Sequence, residues 1–153
     1  MTKQFYLLSS LALISLLASC SPKVGGALAT TELSAALPAG TSYAVLHLYR
    51  PARVAGFAVG YDVRLNDSVV YRASNGSQTL LRRAQPGAIK LSAKTESKEE
   101  FTLTLQPGRE YYVRCTLGAG LVVGTPHLEQ MSATEGSQAV ARLQKPADTA
   151  PTR

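Results

Sequence analysis

Hydrophobic and polar positions alternate every second residue through most of the middle of the chain. Val59, Tyr61, Val63 and Leu65 fall on one side and Gly60, Asp62 and Arg64 on the other, the period of a strand with one wet face. Residues 43–50 are rich in β-formers and end at Pro51, which has no amide proton to continue a ladder. Asn66-Asp67-Ser68 reads as a turn into residues 69–73, and Asn75-Gly76 is the strongest hairpin-type turn signal in the chain. Residues 79–84, 88–94, 100–105, 110–117 and 121–131 continue the series, broken at Pro86-Gly87, Pro107-Gly108 and Glu96-Ser97-Lys98-Glu99. Short strands, tight turns and almost no helical period predict an all-β fold, an antiparallel β-sandwich of about 7–8 short strands. One short C-terminal helix is compatible with the pattern. Ser132-Ala133-Thr134-Glu135 has capping-box spacing, and Ala139, Val140 and Leu143 share a face behind it. Gly136 weighs against that helix, since glycine costs roughly 1 kcal/mol relative to alanine in a helix interior.

The pattern changes at both ends. Lys3, an apolar run from Phe5 to Ala18 and small residues at 18–19 have the order of a secretory signal. The run falls short of the roughly 20 apolar residues of a comfortable bilayer span. Leu17-Ala18-Ser19-Cys20 resembles the lipobox of bacterial lipoproteins. That resemblance implies a diacylglyceryl thioether on Cys20, removal of residues 1–19, and a membrane attachment made by lipid rather than by the fold. An ordinary signal peptide cleaved near a coincidental cysteine is the alternative. Ser21 stands where an aspartate resembles an inner-membrane retention signal in Gram-negative lipoproteins, and no acidic run follows Cys20. The expected location is therefore the outer membrane of the cell envelope, on the periplasmic face.

Residues 20–42 carry Gly25-Gly26 and Pro38-Ala39-Gly40 with no sustained period, and read as a lipidated N-terminus and tether with a turn of helix around 32–37. Residues 145–153, with Pro146 and Pro151, read as a disordered tail, which leaves 43–144 as one sandwich domain. The chain has 16 Lys and Arg against 10 Asp and Glu, a net charge of +6, scattered rather than massed. Export makes nucleic acid an unexpected partner, while a mildly basic surface suits acidic envelope polymers or anionic lipid.

The chemistry-bearing residues are sparse. Lipidation would consume the Cys20 sulfur, leaving Cys115 unpaired on an apolar strand face, where a thiol behaves as a small hydrophobe. His47 and His127 stand singly, without metal-ligand spacing, so no metal or cofactor is expected. No nucleophile elbow, P-loop or dinucleotide fingerprint is present, and Asp62 and Asp67 read as a solvated strand position and a turn residue. Catalysis is not expected. Tyrosines interleaved with arginines are the remaining candidates. Tyr49, Arg50, Tyr61, Tyr71, Arg72, Tyr112 and Arg114 form a candidate binding face, with Arg50 before Pro51 the first choice for a pairing or anchoring role.

The Arg50-Pro51 strand end, the strand pair ending at Val69-Val70, the Pro86-Gly87 turn, Pro107-Gly108 before Tyr111-Tyr112-Val113, and Glu135-Gly136 occur in an order that resembles a family of short bacterial lipoproteins known only as a domain of unknown function. Asn66-Asp67-Ser68 departs from that pattern, which more often has a glycine-containing turn. The layout is also similar to transthyretin-like and carboxypeptidase-regulatory-like sandwiches, which implies binding or bracing. The expected function is a non-catalytic binding or structural module that engages another envelope protein. The alternative is an envelope glycan- or lipid-binding module, and a hydrolase ranks below both.

Overall fold

Period-two alternation becomes sheet throughout the computed structural model, which describes residues 33–83 and 86–144. The expected signal segment, Cys20 and the expected tail at 145–153 lie outside the described residues. In chain order the strands are β1 (Ser34–Ala36), β2 (Ala44–Tyr49), β3 (Tyr61–Leu65), β4 (Ser68–Ala73), β5 (Gln78–Arg83), β6 (Gly87–Lys94), β7 (Lys98–Leu105), β8 (Arg109–Gly118) and β9 (Thr125–Met131). The helix α1 (Ala133–Gln144) follows. One sheet contains β4, β3, β6 and β7 in that order; in the other β8 lies beside β2, and β2 beside β5. The sandwich is as the alternation predicts, with one parallel pair, β2 with β8, inside an otherwise antiparallel arrangement.

The free side of β8 is shared by two short strands placed end to end. β1 pairs with Arg109, Glu110 and Tyr111, and β9 pairs with the stretch from Tyr112 to Gly118. Gln130 Nε2 at the end of β9 donates to the Leu33 carbonyl at 3.1 Å, closing the seam between them. This corrects the described part of residues 20–42 read as tether: Ser34–Ala36 belong to the sheet, so that part of the helical turn expected around 32–37 is strand. Ser-Ala-Ala carries no β-signal of its own, and the pairing is imposed by the unfilled edge of β8.

Ala44, Leu46 and Leu48 of β2 and Tyr111, Val113 and Cys115 of β8 meet Val63, Leu65, Ile89 and Leu91 of the facing sheet in the main core. The opposite parity of β2 and β8 is buried too, because α1 covers it: Tyr49 and Tyr112 pack with Val140, Met131, Ala139 and Leu143. The N-cap half of the capping box forms as its spacing predicts, and the Glu135 carboxylate returns to the Ser132 hydroxyl. The Glu135 amide donates to Ser132 Oγ at 3.3 Å, and Ser132 Oγ donates to the Glu135 carboxylate at 2.8 Å. Gly136, which argued against the helix, is what lets it dock, since a Cβ there would stand 2.3 Å from Tyr112 Cβ and Cγ.

One turn differs from expectation and another takes its expected place. Asn75-Gly76 does not close a hairpin: β4 pairs only with β3 and β5 only with β2, so the turn carries the chain from one sheet to the other. Ser77 Oγ donates to the Ser74 carbonyl at 2.7 Å and closes it. Asn66 and Asp67 both adopt positive φ, 46° and 70°, forming a two-residue turn that Asn and Asp accept without glycine. The last strand begins at Thr125 rather than near 121, and residues 121–123 belong to the β8–β9 loop.

Candidate functional site

The proposed Tyr/Arg face is not a single surface. Tyr61 and Tyr71 share the parity of Val63 and Ala73 and lie inside the sandwich, while Tyr49 and Tyr112 lie under α1. Burial pushes the phenols up, to about 12 for Tyr71 and Tyr112, and in the same direction for Tyr49 and Tyr61. Their hydroxyls are spent locally: Tyr61 donates to the Thr116 carbonyl at 2.8 Å and Tyr71 to the Ser77 carbonyl at 2.8 Å. Of the seven candidates only Arg72 and Arg114 reach solvent, on different sheets. Arg72 pairs with Asp62 at 2.9 Å and Arg114 with Glu129 at 2.5 Å.

Arg50 does anchor, but from inside. It is 3% exposed, and its guanidinium donates to the carbonyls of Val59 (2.5 Å), Ala73 (2.8 Å) and Gly56 (2.8 Å) while lying over the Tyr61 ring at 5.4 Å. Three carbonyl oxygens and a π face replace the carboxylate a buried cation ordinarily needs. The β2–β3 loop, residues 51–60, is thereby tied to the end of β4. The Asn75 side chain adds a second tie by accepting the Arg53 amide at 2.8 Å. Held this way, the loop presents Val54 at 90% exposure and Phe57 at 65%.

A second loop at the same end is held by an acid. The Glu96 carboxylate, in the β6–β7 turn, accepts the backbone amides of Leu121 (2.8 Å), Val122, Val123 and Gly124 (3.4 Å). The Val123 amide is the largest of the effects that hold the Glu96 carboxyl below the usual carboxylate range. Thr95 Oγ1 donates to the Gly124 carbonyl at 2.5 Å, and Gly124 takes φ 89° where a Cβ would stand 2.5 Å from the Gly118 carbonyl oxygen. Leu121 is 99% exposed, Val122 90% and Val123 41%. Both loops rest on Leu117 at the end of β8: it is the nearest contact of a Cβ built at Gly56 and a close one at Gly124.

Beside these loops the outer face of the β4-β3-β6-β7 sheet forms an open groove of about 610 Å³. Arg64, Arg72, Lys94 and Lys98 line it with Asp62, Asp67 and Ser92, and Val59 and Val123 bound its loop end. Lys98 pairs with Glu100, which also takes Lys90 at 3.2 Å, and Arg64 donates to the Asp67 carbonyl at 2.9 Å. Basic side chains therefore outnumber acidic ones in the lining, and only Tyr61, whose ring is buried, is aromatic.

The other chemistry-bearing residues are accounted for by packing. Cys115 is buried, as its strand position predicts, and burial pushes its thiol up to about 12. His47 stacks on Tyr112, centroids 4.7 Å apart, and meets Glu110 at 2.5 Å, while His127 lies 3.7 Å from Glu99. Among the described residues no three His, Cys, Asp or Glu side chains converge, and no helix is long and apolar enough to cross a membrane. Sequence reasoning missed Glu96 and the exposed residues 121–123. Leu121-Val122-Val123 imitates a strand start, and a carboxylate capping a loop distant in sequence leaves no local trace.

No family model matches the chain. An uncharacterized protein of Haemophilus influenzae is 26% identical over 99 residues, covering 64% of this chain and 58% of the relative. This chain thus spans less than two thirds of that relative's length. Among solved structures the chain is similar to the N-terminal domain of AlgF from P. aeruginosa, at 14% identity and a TM-score of 0.40, covering 60% of this chain and 96% of that domain.

Proposed function

We propose that this is a lipid-anchored cell-envelope protein that serves as a non-catalytic binding module, with the loop end of the sandwich as its working surface. One observation carries the reading: residues 54, 57 and 121–123 expose aliphatic and aromatic side chains on loops that Arg50 and Glu96 hold in place. Loops free to collapse would bury such side chains. Loops fixed beforehand lose less conformational freedom when a partner covers them. Lipidation at Cys20 supplies the membrane attachment and leaves this end free to engage a partner, in the first instance another envelope protein. The basic groove beside it favours a second reading, an acidic glycan or lipid as ligand.

Two measurements test the proposal. A photo-crosslinker placed at Val122 or Phe57 in intact envelopes is expected to capture a partner. The same group at exposed Thr104 on β7 is expected to capture nothing. Equal capture from all three positions would remove the loop end from consideration. Acyl labelling is expected in the wild-type chain and absent in Cys20→Ser, and a labelled variant would overturn the anchor.

A further inference from the structure

We infer that the loop end docks on an anionic phospholipid surface, residues 121–123 entering the acyl boundary while Arg72, Lys94 and Lys98 meet lipid phosphates. The inference rests on the reading of this end as the working surface and names its partner.

Three features select a bilayer. The first is the tip, Leu-Val-Val, which has aliphatic side chains with no polar group to pair, whereas protein hot spots favour Tyr, Trp and Arg. A sugar would want a broad exposed aromatic platform, whereas the four tyrosines of the candidate face are buried and Phe57 alone of the working-surface residues named above is aromatic. The second is the backbone. A loop entering hydrocarbon must have its amides satisfied, and the Glu96 carboxylate accepts those of residues 121–124. The third is charge. Lys94 and Lys98 flank the turn that carries Glu96, and Arg72 lies two strands away on the same outer face. Asp62 pairs with Arg72 and Glu100 with Lys98, but no carboxylate pairs with Lys94 among the described residues. Apolar tips ringed by cations are the pattern of interfacial attachment, in which buried apolar area and attraction to anionic headgroups act together. Val123 also lines the groove, which would receive a headgroup once the tip is inserted.

The chain contains no tryptophan, so Val122→Trp introduces a unique reporter at a solvent-exposed position, and Leu121→Trp supplies a second should the first perturb folding. The full chain carrying Cys20→Ser as well is mixed with vesicles of phosphatidylglycerol and phosphatidylcholine, or of phosphatidylcholine alone. Indole emission is expected to shift to the blue and to be quenched by brominated acyl chains only with the anionic vesicles. Lys94→Glu with Lys98→Glu is expected to weaken the response about tenfold or more. Attachment through the N-terminal segment would sediment the protein without moving the indole. An indole that stays in water while the protein sediments overturns the lipid proposal. If crosslinking at Val122 still captures a protein, the working surface stands and only its partner changes; if it captures nothing, both readings fall.

Discussion

Replacing Gly136 by alanine is expected to destabilise the fold, against the ordinary direction for a helix interior. Alanine is favoured there over glycine by about 1 kcal/mol. In this helix the new methyl would stand 2.3 Å from both Cβ and Cγ of Tyr112 and 2.8 Å from Cδ1. Those atoms are fixed to β8 and cannot swing away as the end of a flexible side chain could. Ordinary carbon contact is about 3.5–4 Å, so α1 must retreat by more than 1 Å or tilt. Retreat opens the cluster of Tyr49, Tyr112 and Val140 along the helix. Overpacking of this kind costs about 1–3 kcal/mol, occasionally more. Because the clash is with Cβ and Cγ, the cost belongs in the upper half of that range, about 2–3 kcal/mol, and against the propensity gain the net loss is about 1–2 kcal/mol, or a fall in Tm of roughly 4–15 °C for a domain of this size. Thermal and urea denaturation followed by circular dichroism measure it, with exposed Gln138→Ala on the same helix as the control, expected within about 0.5 kcal/mol of the parent. A Gly136→Ala protein as stable as the control, or more stable, would refute the close approach of helix and sheet.

Arg50→Met should cost about 2–3 kcal/mol, because it strands the buried Ala73 carbonyl and the half-buried carbonyls of Val59 and Gly56. Hydrogen exchange should accelerate throughout residues 51–60, and Arg50→Lys should recover only part of the loss, since one ammonium cannot reproduce the guanidinium fork. The Glu96 carboxyl is held low in the folded protein, so its contribution is present above the ordinary carboxylate range and is lost as pH falls through the lowered value. Amides of residues 121–124 should therefore lose protection on acidification, and in Glu96→Gln already at neutral pH; unchanged protection in that variant would contradict the cap. Cys115, its thiol raised to about 12, should resist disulfide reagents at mildly alkaline pH until denaturant is added. Rapid native labelling of Cys115 in a Cys20→Ser chain would show that it is not buried.

Much of the fold was legible because alternation in β3, β6 and β8 states directly which parity is apolar. The same parity already placed Tyr61 with Val63 and Leu65, and so inside. Reading these tyrosines as a surface gave residue type more weight than phase. Tyr49 and Tyr112 were harder to place: they sit on the parity opposite the main core, and only the arrival of α1 buries them. The Arg50 cage was not legible, since its partners are main-chain carbonyls at Gly56, Val59 and Ala73 and any sequence supplies carbonyls. The Asn75-Gly76 turn carries the local signal of a hairpin, yet whether the chain returns to the same sheet or crosses to the other depends on which edges remain open.

The parallel ladder between β2 and β8 also orders events in time. The chain from Tyr49 to Arg109 must be traversed before that ladder can close, whereas β3 with β4, β6 with β7 and β8 with β9 are local hairpins that can zip early. β2 is wholly buried and has β8 and β5 as its two neighbours, so the most protected strand is also the one that waits for distant partners. Long-range closure of this kind slows folding relative to local pairing. Until it is complete, Leu46 and Leu48 lack their β8 neighbours, and one edge of β2 stands open to wrong pairing.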